Sequence, residues 1–245
     1  MKTKYLLFGF LVSSLIGCTD LQSQYMKALS DAASPIQDKY AYLEKMFLDS
    51  KKDTNCVEYD RFEEIPFGER KKLLVLLSEK ADDNVSDSAF WILHSPAGNG
   101  YNTGDIEIFG KTIFDRKSFN RFMNDTVYSK DDMESNLWEF DKYIVKPLQA
   151  AKYLLLFTDK IYVSPRANLT DYETGFVLSN VKVYNIDSKE LIDSFDVAAQ
   201  NSSSVRLSTD EAYLINISTA GVELNKNLYD NLKKKAISKV NKNPK

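Results

Sequence analysis

The chain has 245 residues, 43% of them hydrophobic, with 32 basic and 35 acidic side chains and a formal net charge of −3. That is enough for one sizeable or two small domains with a true hydrophobic core, and a single domain is the default. Mild acidity supplies no positive field for nucleic acid, and two cysteines with one histidine leave too few ligands for a conventional zinc site.

Lys2 and Lys4 open the chain, Tyr5 to Ile16 is apolar, and Gly17 is the small residue before a cut, the pattern of a secretory signal. An apolar run of about a dozen residues is too short to span a bilayer as a mature helix. Leu15, Ile16, Gly17 and Cys18 match the lipobox (Leu, a small or apolar residue, Gly or Ala, Cys), and the segment resembles the signal of bacterial lipoproteins. The resemblance covers eighteen of 245 residues. It implies that residues 1–17 are removed as a signal peptide, that the Cys18 thiol is linked to diacylglycerol, and that Cys18 becomes an acylated first residue of the palmitate kind. Each buried methylene contributes roughly 0.8 kcal/mol, so one chain holds reversibly and two or more hold stably. In the enterobacterial sorting pattern an Asp directly after the cysteine favours inner-membrane retention. Thr19 stands there, with Asp20 one place later, which points to the outer membrane. Cleavage takes away two lysines and no acids and leaves 228 residues with 30 basic and 35 acidic side chains, a balance of −5. The lipid alone then anchors the protein to the membrane.

Residues 18–24 read as the lipidated amino terminus and a short tether. Residues 25–245 read as one α+β domain: helical over about 25–81, sheet-rich over about 88–217, and closed by a helix over about 222–242. Met26, Leu29, Ala33, Ile36, Tyr40, Leu43 and Phe47 alternate spacings of three and four, which puts them on one helical stripe. Ser34, Pro35 and Gln37 have the form of a capping box with proline at the first helical position, so a helix is expected over about 35–50 with a short or kinked one ahead of it. Leu73 to Leu77 predict a second helix starting near Pro66-Phe67-Gly68 and ending at Asp82-Asp83-Asn84, a buried strand being the alternative. Residues 88–94 and 105–114 read as strands flanking the turn-rich Ser95–Gly100, a hairpin with an elaborated connection. Lys117 to Met123 and Met133 to Leu148 read as helices. The clearest sheet signal is Tyr153–Phe157, then Ile161–Val163, then Phe176–Ile186 with Val177, Val181 and Val183 on one face. Asp187-Ser188-Lys189 turns the chain, and Leu191, Phe195 and Val197 resume the alternation. The expected fold class is therefore α+β, an antiparallel sheet with a meander in the carboxyl-terminal half, packed by several helices. Ala212 to Ile217 adds a further strand segment, and Leu224, Leu228, Leu232 and Ala236 mark the closing helix.

The residues that could carry chemistry are few. With Cys18 taken by lipid, Cys56 is the remaining thiol, so no intramolecular disulfide forms; its polar surroundings read as a loop covering an ordinary cysteine, against a reactive thiol or an intermolecular bridge. His94 would have to serve any Ser-His-Asp or Cys-His device, but it reads as the end of the strand Ala89–Leu93. Gly104 to Thr112 ends like a phosphate loop, yet it has one residue too many between its glycines and alternates like a strand. Asp131, Asp132 and Glu134 read as a helix start. Lys233, Lys234, Lys235, Lys239 and Lys242 suit the carboxyl end of the last helix, the alternative being a phosphate grip. Carboxylates abound, and a hydrolase pair is recognised by its separation in space.

No catalytic, cofactor-binding or metal residue is therefore expected, Cys18 being the one modified position. The sequence reads as a non-enzymatic, membrane-anchored envelope lipoprotein presenting its domain to a protein or peptidoglycan partner, with no nucleic acid involved. Fourteen Tyr and fourteen Phe supply interface anchors or core. The alternatives are a carrier of a small apolar or glycan ligand and, third, a carboxylate-based hydrolase.

Overall fold

A computed structural model of the protein describes residues 19–50, 56–81, 90–95, 122, 124–207, 209, 215 and 217–242. The lipobox residues, 105–114, most of 117–123, the loop 96–100, Gly104–Thr112, and Asp82–Asn84 lie outside the described residues.

The fold is α+β, as the patterning predicts. Helix α1 (Thr19–Ala33) passes through a 3₁₀ turn (Ser34–Ile36) into α2 (Gln37–Ser50). Strand β1 (Val57–Tyr59) and α3 (Phe67–Ser78) follow, then β2 (Phe90–Ser95). Helix α4 (Lys130–Phe140) runs through a π turn (Asp141–Val145) into the short α5 (Lys146–Ala150). Strand β3 (Tyr153–Val163), the small pair β4 (Arg166–Ala167) and β5 (Tyr172–Glu173), β6 (Phe176–Asn185), β7 (Leu191–Gln200) and α6 (Ile217–Lys242) complete the chain.

The meander β3-β6-β7 is antiparallel. On the other edge of β3, β2 pairs with Tyr153–Thr158 and β1 with Ile161–Val163, both parallel, so the sheet is mixed. Parallel neighbours need a long crossover connection, and α4 with its continuation lies within the one between β2 and β3. The expected hairpin partner of β2 falls outside the described residues; the partner observed is β3.

Tyr153–Phe157 and Ile161–Val163 belong to one strand, interrupted by a bulge: Asp159 faces Ser179 and Ile161 faces Leu178, leaving Lys160 as the extra residue. Because side chains alternate along a strand, the extra residue reverses the parity after it. Asp159 and Tyr162 therefore share the face covered by α6, while Ile161 and Val163 turn to the other, where they pack with Leu178, Ala198 and the α3 residue Leu73. The main core joins Tyr25, Leu29, Ile36, Tyr40 and Leu43 of the amino-terminal helices to Leu155, Phe157, Val177, Val181 and Val183 of the sheet and Leu228, Leu232 and Ala236 of α6.

Ser34 does not cap. Ala33 ahead of it is already α-helical (φ −76°, ψ −24°), no side chain bonds the turn, and the Gln37 N–H donates to the Ser34 carbonyl. Leu29 and Ile36 face the same core, so the chain is held on course, and Pro35 sits in a first turn where its missing N–H costs little. Gly175 cannot be replaced: a Cβ there would lie 2.6 Å from Pro165 Cδ and 2.9 Å from the Val163 carbonyl oxygen.

Candidate functional site

The densest polar chemistry lies between the sheet and α6. Asp159, brought to this face by the bulge, is buried. Its Oδ1 accepts from the Ser179 hydroxyl and its Oδ2 from the Tyr229 hydroxyl at 2.9 Å. The Tyr229 ring stacks on Tyr162 with centroids 6.4 Å apart and 7° between planes. Tyr162 donates to Asn225 Oδ1 at 2.6 Å, and the Asn225 amide donates to the Gly221 carbonyl one turn earlier. Burial pushes the Tyr229 phenol well above its ordinary pKa, and the charge of Asp159 adds to this, so the phenol stays protonated and donates. All five side chains are buried. A buried carboxylate that accepts from a hydroxyl of the sheet and from one of the last helix fastens that helix to the sheet.

Cys56, half-buried just before β1, has a free thiol. Burial pushes its pKa up to about 12, with Asp159 and then Glu58 adding to the effect. A nucleophilic thiol needs the opposite, a lowered pKa in positive surroundings, so the surroundings of Cys56 do not activate it.

Asn201 builds a second buried link. Its Oδ1 accepts from the Gly175 N–H at 2.8 Å and its amide donates to the Leu224 carbonyl at 2.7 Å, while Asn227 Oδ1 accepts from the Ser202 N–H at 2.9 Å. These bonds tie the start of β6 and the end of β7 to α6.

On the opposite face of the sheet, Asp196 of β7 accepts from Lys160 at 2.8 Å, from Asn180 at 3.0 Å and from Lys72 of α3. Burial raises its pKa, but the bonds from Lys160, Lys72 and Asn180 outweigh that and hold it at about 2. The late lysines divide. Lys235 reaches round the β7 edge and donates to the Leu76 and Leu77 carbonyls at 3.2 and 2.9 Å, completing the carboxyl end of α3. Lys239 pairs with Glu79 at 3.2 Å and lies 5.4 Å above the Phe195 ring. Both are used within the fold.

His94 lies in β2 opposite Phe157, a strand position as its sequence context predicts. Asp131 and Asp132 form the first turn of α4, where the Asp132 N–H donates to the capping Ser129 hydroxyl at 3.0 Å. Among the described residues no three His, Cys, Asp or Glu side chains are grouped to hold a metal ion, and Asp159 is the one carboxylate in the buried class. Sequence reasoning missed Asp159, Tyr229 and Asn225: a polar residue between two apolar runs looks like a turn, and nothing local marks the bulge.

Helix α1 begins at Thr19, the residue after Cys18, and the region read as a tether is helical. Leu21 packs on the core, Gln22 donates to the Asp125 carbonyl and accepts from the Val127 N–H, each at 3.0 Å, and the buried Tyr25 donates to the Phe122 carbonyl at 2.9 Å. Cys18 itself lies outside the described residues.

Compared with models of known families, with curated proteins and with solved structures, the chain matches none.

Proposed function

We propose that this chain is a cell-envelope lipoprotein, anchored through lipid on Cys18, whose domain works without catalysis by presenting a surface to a protein or cell-wall partner. The observation that carries the reading is Leu15-Ile16-Gly17-Cys18 behind a basic and then apolar leader, because sulfur at that position is the nucleophile that takes the lipid. Thr19 in place of Asp after the cysteine favours the outer membrane. No described helix is long and apolar enough to cross a membrane.

A role without catalysis is supported by Asp159, whose carboxylate is engaged by the Ser179 and Tyr229 hydroxyls across the sheet–helix seam. An interaction role is supported by α3, whose outer side chains Phe67, Leu74 and Val75 leave apolar surface in water at 76, 53 and 60% exposure, Phe67 being an aromatic of the type enriched in interfaces.

The test is Cys18→Ser in the producing cell, since a hydroxyl cannot replace the thiol. Metabolic labelling with palmitate is expected to vanish and the protein to leave the membrane fraction; undiminished labelling overturns the lipoprotein reading. The partner is sought by affinity capture from cross-linked cells.

A further inference from the structure

We propose that the domain has no free tether and is held directly against the phospholipid surface, with the residues that α1 clamps, Phe122 and 124–128, facing the bilayer and Tyr128 lying among the headgroups. The inference rests on lipid attachment at Cys18.

One peptide unit, about 3.8 Å between Cα atoms, separates Cys18 from the first residue of α1. That helix is not free to swing. Leu21 is packed, Gln22 is bonded twice to the 125–127 backbone, and Tyr25 is fully buried with its hydroxyl on the Phe122 carbonyl. A lipid on Cys18 therefore pulls on the folded domain itself, where a flexible tether would let it drift by ~5–6 Å times the square root of its length.

The clamped segment ends in Tyr128, which at 86% is the most exposed of the large hydrophobic side chains described. A phenol has an apolar ring and a polar tip, the chemistry enriched where acyl chains give way to water. Asp20, Asp131 and Asp132 are exposed nearby in the sequence. Charges of that sign resist the hydrocarbon core, so the contact is apposition at the interface without insertion.

The experiment uses the full-length lipidated protein in phosphatidylethanolamine–phosphatidylglycerol vesicles. A fluorophore is placed at Tyr128→Cys or at Asp187→Cys, and quenching by nitroxide-bearing lipid is measured. Asp187 pairs with Lys39 at 3.1 Å, past the other end of α1, a helix about 21 Å long at 1.5 Å per residue. Both variants also carry Cys56→Ser, so that the introduced thiol is the one labelled.

Quenching at position 128 is expected to exceed that at 187 by roughly threefold. A flexible insertion of about ten Gly and Ser residues after Cys18, reaching ~17 Å, is expected to erase the difference. Equal quenching at both positions, or no effect of the insertion, in protein that still floats with the vesicles overturns the apposition and leaves the lipoprotein reading standing. Protein that carries no lipid and does not float overturns both. A blue shift at 128 without nitroxide quenching puts Tyr128 against protein and overturns the proposal.

Discussion

Tyr229 reaches from the last helix to a carboxylate that the sheet has almost closed off from water, and the energetics of that contact can be measured. Tyr229→Phe keeps the ring stacked on Tyr162 and removes one donor from Asp159. A hydrogen bond to a charged acceptor contributes about 1.5–3 kcal/mol, so urea unfolding should show a loss in that range; a change of only a few tenths would mean the seam does not depend on this bond. Asp196, on the other face, gives a pH signature. Its carboxyl is held at about 2, below the ordinary aspartate value near 4, so the folded state takes up this proton later than the unfolded state does. Its contribution is complete above about pH 4 and is lost as the pH falls towards 2. Asp196→Asn is expected to cost ~1 kcal/mol at neutral pH, discounted because its lysine partners are half exposed. Measured across a pH series, the gap between wild type and variant should narrow below pH 4; a gap that widens there contradicts the assignment. At this scale the sequence was partly legible. His94 is in a strand, as its neighbours indicate, whereas Asp159 is invisible without the bulge that turns it inward.

At the scale of elements, patterning predicted the meander and both long helical stretches, because burying one face leaves a period that survives in the residues: Leu224, Leu228, Leu232 and Ala236 are all buried. Local signals were weaker guides. The Ser34-Pro35-Gln37 box looks like a start, yet tertiary packing of Leu29 and Ile36 keeps the helix running through it. Strands β1, β4 and β5 are too short, at three, two and two residues, to leave any period. The junction of α3 and α6 was likewise unreadable, since it depends on Lys235 meeting carbonyls some 158 residues away. Burial lowers the pKa of that ammonium while Glu79 opposes the change, and its protons complete a helix end that would otherwise present bare carbonyls. Lys235→Met keeps the aliphatic stem and loses the donors. The expected loss is about 1 kcal/mol, with amide exchange rising first in the last turn of α3; unchanged protection there would show that solvent serves those carbonyls equally well.

Over the whole molecule, one core holds Tyr25 and Leu29 near one end of the described chain and Tyr229 and Ile237 near the other. The first helix is therefore integral to the domain, a fact with bearing on any attachment at Cys18. Packing and buried polar seams join the described elements, and Cys56 is a free thiol. A protein of this kind should unfold in one cooperative step, and residues 19–245 are expected to melt at the same temperature with or without chelator and reductant. A shift of several degrees with either reagent would overturn this. Leu29→Ala tests the integration of α1 directly. It opens a cavity where the side chain is fully buried, at a cost of roughly 2–5 kcal/mol. If α1 belongs to the common core, the variant still unfolds in a single transition, shifted to lower urea with its slope unchanged. A separate early transition, with the sheet unfolding at its wild-type midpoint, would instead make α1 an appendage and restore a mobile link between membrane and domain.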